Sequence, residues 1–570
     1  MEDTNMKNIA RIFMVAACAM TLATSCIKEI LPQTSTVTAS QAAAAPGAYD
    51  NFVSALTSTL AGQFIYGGNS NTYLYDFGYP ALAIQRDLMG QDMVYAYQNW
   101  FTYWYIVQYL GPSYRFSQMP WTYYYGWIKS CNTVISLAFE GKEEGADPDA
   151  DKVTGAGIAY AMRAFFYMDL ARLFAQESCV KNPESVSVPI VTESTSLEDL
   201  SYNPRATNTD MWNFIISDLD KAEKYLEGYK RKDVYTPDQS VVFGLKARAY
   251  LEMGKWSEAV TYAQKAQVGY KIMDEEEYTS WDEGFNTPNS SWMFGCTFKS
   301  DDPAILLNDA DSSWGSVMCM EINPETSGCG YAANYGQAFF IDRHLYETIP
   351  ASDFRKKCYI DFAIDDMDEA AQLEALAEYS AHPDWLYGQH EIQSDYNGNI
   401  GGIELKFRTA GGEAGRNNQY IGFVVAYPFM RVEEMALIEA EAAGRLNEAD
   451  GIAKLTAFAQ TRDPYYSYGH HTDAYGNTTT STFLNEIWWQ RRVEFWGEGL
   501  ATFDIKRFDK GIIRSYEGSN HPEEFQYNYL EGKHPEWMNY CIVQTETNYN
   551  YECTNNPDPI KPEPASPFEW

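Results

Sequence analysis

Apolar residues recur three and four positions apart along most of this chain, the spacing that buries one face of an α-helix. This periodicity predicts helices over residues 154–176, 209–227, 239–253, 256–268, 429–443, 447–461 and 483–496. Local signals agree: Asn208-Thr209-Asp210 and Thr236-Pro237-Asp238 read as helix starts, Gly254 and Gly444 as stops. Two of the predicted helix pairs share a plan. When Gly254 and Gly444 are aligned, Ala259 falls on Ala449 and Ala263 on Ala453. Small residues at this spacing let the second helix of a hairpin lie close against the first, as in tetratricopeptide repeats. At least two such hairpins are expected, and four if the helices around 159–174 and 483–496 join them. Segments suited to strands are few, with 292–298 and 403–408 the best. The pattern therefore predicts an all-α fold. It is a scaffold of tetratricopeptide-like helical hairpins, with long irregular insertions near 270–425 and 510–570 and a few short strands.

The N-terminus is patterned differently. Lys7 and Arg11 precede an apolar run over 12–23 that is too short to span a bilayer well, and Thr24 and Ser25 lead into Cys26. A basic start, an apolar stretch and a small-residue cleavage site make a secretory signal peptide. A cysteine directly after the cut looks like a bacterial lipobox, although Leu22 stands one place farther from it than is usual. The expected organisation is a lipoprotein signal peptide over 1–25, a lipidated tether over 26–45 and a single domain over 46–570. Acyl chains on Cys26 stabilise attachment by about 0.8 kcal/mol per buried methylene. No later apolar run reaches roughly 18 residues, so membrane contact is expected through the lipid alone.

Charge and composition remove several function classes. A net charge of −36 repels phosphate backbones and argues against nucleic acid as a partner. There is no Walker or Rossmann glycine pattern, and an exported protein meets no nucleotide pool. The ten cysteines include no CxxC pair; Cys319 with Cys329 and Cys541 with Cys553 are close enough to bridge, but no pairing is assigned. His470-His471 lies among Tyr, Gly and Asp and reads as loop rather than metal site. No cofactor is expected, though a structural calcium bound by scattered Asp and Asn oxygens would leave no spacing to read. The unusual feature is the aromatic content: 43 Tyr and 15 Trp, residues that bury an apolar face while keeping a polar tip.

Five segments, in order, resemble the SusD/RagB family of outer-membrane nutrient-binding lipoproteins. They are Trp121-x-x-x-Tyr125-x-x-Ile128-x-x-x-Asn132; Arg163-Ala164-Phe165-Phe166-Tyr167 followed by Val188-Pro189-Ile190; Ala247-Arg248-Ala249-Tyr250-Leu251; Arg431-Val432-Glu433-Glu434 onward to Ala442; and Gln490-Arg491-Arg492-Val493-Glu494-Phe495-Trp496-Gly497-Glu498-Gly499, continuing to Arg507. Asp353-x-Arg355 also fits. The Arg and carboxylate residues of the last segment recur at helical spacings and read as ion pairs between helices rather than as an acid/base set. The resemblance implies a helical, non-catalytic binding protein on the cell surface, lipid-anchored in the outer membrane. Its implied partner is a SusC-like, TonB-dependent barrel transporter, and its ligand a glycan or, in one branch, a peptide.

Between Tyr95 and Trp127, fifteen of thirty-three residues are aromatic. One helix face cannot hide so many rings, so some must meet other elements or stand in solvent. Ring faces pack on the C–H faces of pyranoses while carboxylates, amides and guanidinium groups take the hydroxyls. The candidates are Trp100 and Trp104, with Asp87, Asp92, Asn99 and Arg115 as polar neighbours. Trp314, Tyr331 and Tyr335 follow in the insertion, since long irregular segments on a rigid scaffold often carry function. An (α/α)-barrel glycoside hydrolase is the rival reading; it needs two carboxyl groups about 5–10 Å apart across a sugar site.

Overall fold

The computed structural model describes residues 47–67, 73–95, 100–143, 145–306, 312–326, 330, 332–333, 337–393 and 399–570. Cys26 with the predicted leader and tether, and Asn99, Tyr331 and Tyr335, lie outside the described residues. Residues 52–570 form one compact unit, and residues 1–51 are assigned to another. Among the described residues, no helix is long and apolar enough to cross a membrane.

The frame is helical. Helix α1 (Tyr79–Leu88), strand β1 (Met93–Tyr95) and the single turn α2 (Thr102–Tyr105) lead into α3 (Arg115–Ala138) and α4 (Val153–Phe174). Then come α5 (Asn208–Tyr225), α6 (Gln239–Glu252) and α7 (Trp256–Gln267), each packed on the one before it. After a long insertion, α8 (Val432–Leu446) packs on α7, followed by α9 (Glu448–Ala459), α10 (Thr482–Glu494) and α11 (Ala501–Phe508). Helix α4 lies between α3 and α5 and is buried on almost every side, so it carries no polar stripe. Its Arg163 clamps three helices. Nε and Nη2 donate to Asp218 of α5 at 2.7 and 2.9 Å, and Nη1 donates to Asn132 of α3 at 2.7 Å. Two of the five motif segments thus meet at one guanidinium.

The predicted helices stand within a few residues of their expected bounds, and Asp238 and Gly254 act as start and stop: Asp238 accepts from the Ser240 and Val241 N–H groups, and Gly254 takes φ +69°. Three readings need correction. Residues 426–431 are strand β3 (Ala426–Arg431), antiparallel to β2 (Trp292–Thr297), so α8 begins at Val432 and not at 429. Residues 403–408 form no strand and make only single bridges through Ile403 and Glu404. Gly444 does not end α8; it sits inside the helix, where an added Cβ would come within 2.2 Å of the Phe483 ring. The close contact in this hairpin is therefore Gly444 against Gly451, and Ala449 and Ala453 are exposed, two positions out of the expected register. Cys541 and Cys553 are buried free thiols, as is Cys319.

Candidate functional site

The carboxylates of the fifth motif belong to the frame. Glu494 accepts from Arg431 Nη1 (3.1 Å), Arg355 Nη1 (3.1 Å) and both Nε and Nη2 of Arg462 (3.0 Å each). Glu498 accepts from Arg431 and from Lys406 Nζ at 2.7 Å. Arg491 donates to Asp504 at 2.7 Å. Burial alone would raise the Glu494 carboxyl, but the guanidinium groups of Arg462, Arg431 and Arg355 outweigh it and hold the group far below the usual carboxylate range. All these side chains are buried.

Four candidate ligand residues belong to the same interior and are corrected accordingly. Asp92 pairs with Arg492, Nε to Oδ2 at 2.9 Å, and is 5 % exposed. Asp87 accepts from the Gly499 and Ala501 N–H groups (2.9 and 3.2 Å), fixing the start of α11; burial pushes its carboxyl up to about 7 against the pull of those donors. Trp104 is fully buried, edge-on to Tyr75 and Phe116 at 5.4 and 5.2 Å. Trp314 is packed between Phe407 and Tyr427. Trp104 and Trp314 thus present no open ring face, and Asp87 and Asp92 are engaged within the frame, where they line a cavity of about 340 Å³.

Trp100 and Arg115 are different: both are exposed, Trp100 by 39 %. The turn after α2 explains how rings reach solvent here. Val107 and Tyr109 take φ +55° and +57°, a left-handed conformation that is uncommon outside glycine and that keeps α2 from continuing past Tyr105. The chain reverses, Tyr109 turns outward, and Arg115 opens α3 beside Tyr114. Tyr109 and Tyr114 are exposed, with ring centroids 5.1 Å apart; half-buried Tyr103 lies 5.3 Å from Tyr109 and 4.3 Å from Phe116. The Arg115 guanidinium covers the rings of Tyr73 and Phe116 at 5.2 and 5.1 Å. Tyr73 in turn lies 5.6 Å from Tyr66.

This surface is set on a fixed base. Asp76, fully buried, accepts from the backbone N–H groups of Ile65 (2.9 Å), Tyr66 (3.0 Å) and Gly67 and from the Tyr123 hydroxyl of α3. One carboxylate thus holds the loop bearing Tyr66 to the helix behind it. The result is a row of rings with a guanidinium among them, of which Tyr109 and Tyr114 are exposed and Tyr66, Tyr73 and Tyr103 half-buried. Sequence reading missed Tyr66, Tyr73, Tyr103, Tyr109 and Tyr114. Their signal was present: Gly, Asn and Ser around 67–72, and Gly111-Pro112-Ser113, mark irregular chain interleaved with tyrosines.

Fold and surface together define a helical-repeat protein with exposed tyrosine rings on one surface and a buried ionic interior. Residues 288–560 match the sequence model of the SusD family, and residues 85–251 match a second, described as starch-binding associating with outer membrane. Together the matches cover more than three-quarters of the 570 residues, and the chain belongs to the SusD family. No curated protein matches it significantly. Among solved structures it is similar to a SusD-like carbohydrate binding protein from Bacteroides vulgatus, at 22 % identity and TM-score 0.65 over 89 % of this chain and 97 % of that one. It is also similar to surface glycan-binding protein A from Bacteroides thetaiotaomicron, in complex with laminarihexaose, at 16 % identity and TM-score 0.62 over 89 % and 98 %. These likenesses establish the shared fold.

Proposed function

We propose that this protein binds a glycan at the cell surface and hands it, unchanged, to a SusC-like, TonB-dependent barrel transporter, while a lipid on Cys26 holds it at the outer membrane. The observation that carries the reading is the exposed pair Tyr109 and Tyr114, joined through Tyr103, Phe116 and Arg115 to half-buried Tyr73 and Tyr66, with Trp100 exposed in the same stretch of chain. Phenol faces cover the C–H faces of sugar rings, and the guanidinium donates to their hydroxyls. Such a shallow surface binds with micromolar to millimolar dissociation constants, about 8 to 4 kcal/mol, which suits release to a transporter. Family membership and a sugar-bound relative of the same fold support it. The absence of catalysis belongs to the same reading, because the acidic groups of the conserved-looking motifs are engaged with Arg and Lys inside the frame.

Binding of the purified chain to an array of oligosaccharides and peptides tests this. Oligosaccharides are expected to bind, and a Trp100→Ala/Tyr109→Ala variant that folds normally is expected to bind them at least tenfold more weakly. Peptide binding alone, or unaltered glycan affinity in the variant, would refute the assignment.

A further inference from the structure

A second set of rings lies away from the surface just described. Tyr202 is 57 % and Tyr551 71 % exposed; their centroids stand 5.7 Å apart with the planes inclined at 48°. Beside Tyr202 runs an open trough of about 460 Å³, lined by Ile190, Ser194, Thr195, Glu198 and Asn203. Two phenol rings, two hydroxyls, the Glu198 and Asp199 carboxylates and the Asn203 carboxamide, whose Nδ2 donates to the Ile190 carbonyl at 2.9 Å, therefore meet on one accessible surface. A ring pair needed only for packing would be covered, and these two are not.

The geometry is held by the backbone. Asn203 N–H donates to Asn550 Oδ1 at 3.1 Å, Asn550 Nδ2 donates to the Asn203 carbonyl at 2.6 Å, and Tyr551 N–H donates to the Ser201 carbonyl at 2.9 Å. The preceding turn, Leu197–Leu200, is fixed by reciprocal bonds between Ser196 and Asp199. The backbone that carries both rings is thus held in place.

A short segment connects this place to the first surface. Gln544 N–H donates to the carbonyl of Pro112, which lies between Tyr109 and Tyr114 in the chain, and Tyr551 lies seven residues further on. Seven residues span at most roughly 25 Å when fully extended, and the helical turn Gln544–Thr547 shortens that. The two sets of rings are therefore within reach of one long, flexible molecule.

We infer that Tyr202 and Tyr551, with Glu198 and Asn203, form a second sugar-contact subsite that is engaged only by glycan chains long enough to reach it from the Tyr109–Tyr114 surface. The inference rests on the glycan reading of that surface. Each contact alone is weak, and tethering turns the second into an intramolecular event at high effective concentration.

Calorimetric titration of the whole chain with a length series of one bound glycan, from trisaccharide to polymer, tests it. In the wild type, affinity per chain is expected to rise at least about tenfold once the glycan spans both surfaces. In Tyr202→Ala/Tyr551→Ala, both changes being on exposed side chains, short glycans should bind as in the wild type and the rise should vanish. A rise that persists in the double variant overturns the subsite and leaves the first surface standing; so does a wild type whose affinity is independent of length. Absence of binding at every length in the wild type overturns the glycan reading, and the subsite with it.

Discussion

Replacing Glu494 by Gln separates a frame carboxylate from a catalytic one. Four cations, Arg355, Lys406, Arg431 and Arg462, face four carboxylates, Asp353, Glu433, Glu494 and Glu498, in a buried network linked by contacts of 2.6–3.3 Å. The charges balance, and Glu494 is the member that touches three guanidinium groups. The Gln side chain has nearly the same shape but leaves one unit of positive charge uncompensated in the interior. Breaking a buried pair in this way costs about 3–5 kcal/mol, a large part of the roughly 5–15 kcal/mol that stabilises a folded protein. Urea unfolding followed by tryptophan fluorescence at pH 7 reads this as a lower midpoint at unchanged slope. The pH dependence supplies an independent check. Burial acts to raise the Glu494 carboxyl, yet Arg462, Arg431 and Arg355 lower it further than burial raises it. A carboxyl depressed in the folded state stabilises fully above its unfolded value of about 4.3 and loses that contribution only as pH falls through the folded value. The gap between wild type and variant is therefore expected to stay constant from pH 7 to about 5 and to close well below about 4. A loss under about 1 kcal/mol at pH 7, together with disappearance of a glycan-cleaving activity, would refute the structural assignment and favour the hydrolase reading.

Three further substitutions test how the frame presents its rings. Asp76→Asn turns an acceptor for four donors into a group that sets its own N–H₂ against a backbone N–H; a loss of about 1–3 kcal/mol is expected, with weaker glycan binding because the Tyr66 loop is no longer held. Binding that survives unchanged would show that Tyr66 is not part of the surface. Tyr109→Gly removes an exposed ring and relieves a left-handed backbone, so thermal stability should rise by about 1 kcal/mol while affinity falls several-fold; effects of the same sign would contradict this. Gly444→Ala improves helix propensity by about 1 kcal/mol, but its Cβ meets the Phe483 ring, and overpacking of about 1–3 kcal/mol should win. A more stable variant in urea unfolding would refute the close-approach argument.

Those substitutions also mark what could be read from the residues alone. The hairpins were legible because their apolar stripes are long and because Asp238 and Gly254 end elements by purely local chemistry. The register of the later hairpin was not, because Gly444 is used for an approach between helices, and a glycine required by a distant ring looks the same in sequence as one required by a turn. Strand β3 reads as the start of a helix for a related reason: Tyr427, Phe429 and Arg431 fit either period, and the partner that decides, β2, lies well over a hundred residues earlier. The proposed binding surface shows the same limit more sharply. Tyr75, Trp104 and Phe116 pack edge-to-face inside, while Tyr103, Tyr109 and Tyr114 stand outside, within one run of similar rings. What sorts them is a pair of left-handed residues, Val107 and Tyr109, that no local preference announces. Two such residues persist only where the surroundings over-determine them. The rings they turn outward pack on one another, Tyr109 on Tyr114 and Tyr103 at 5.1 and 5.3 Å, yet Tyr109 and Tyr114 keep exposed surface, which fits the glycan contact proposed for them.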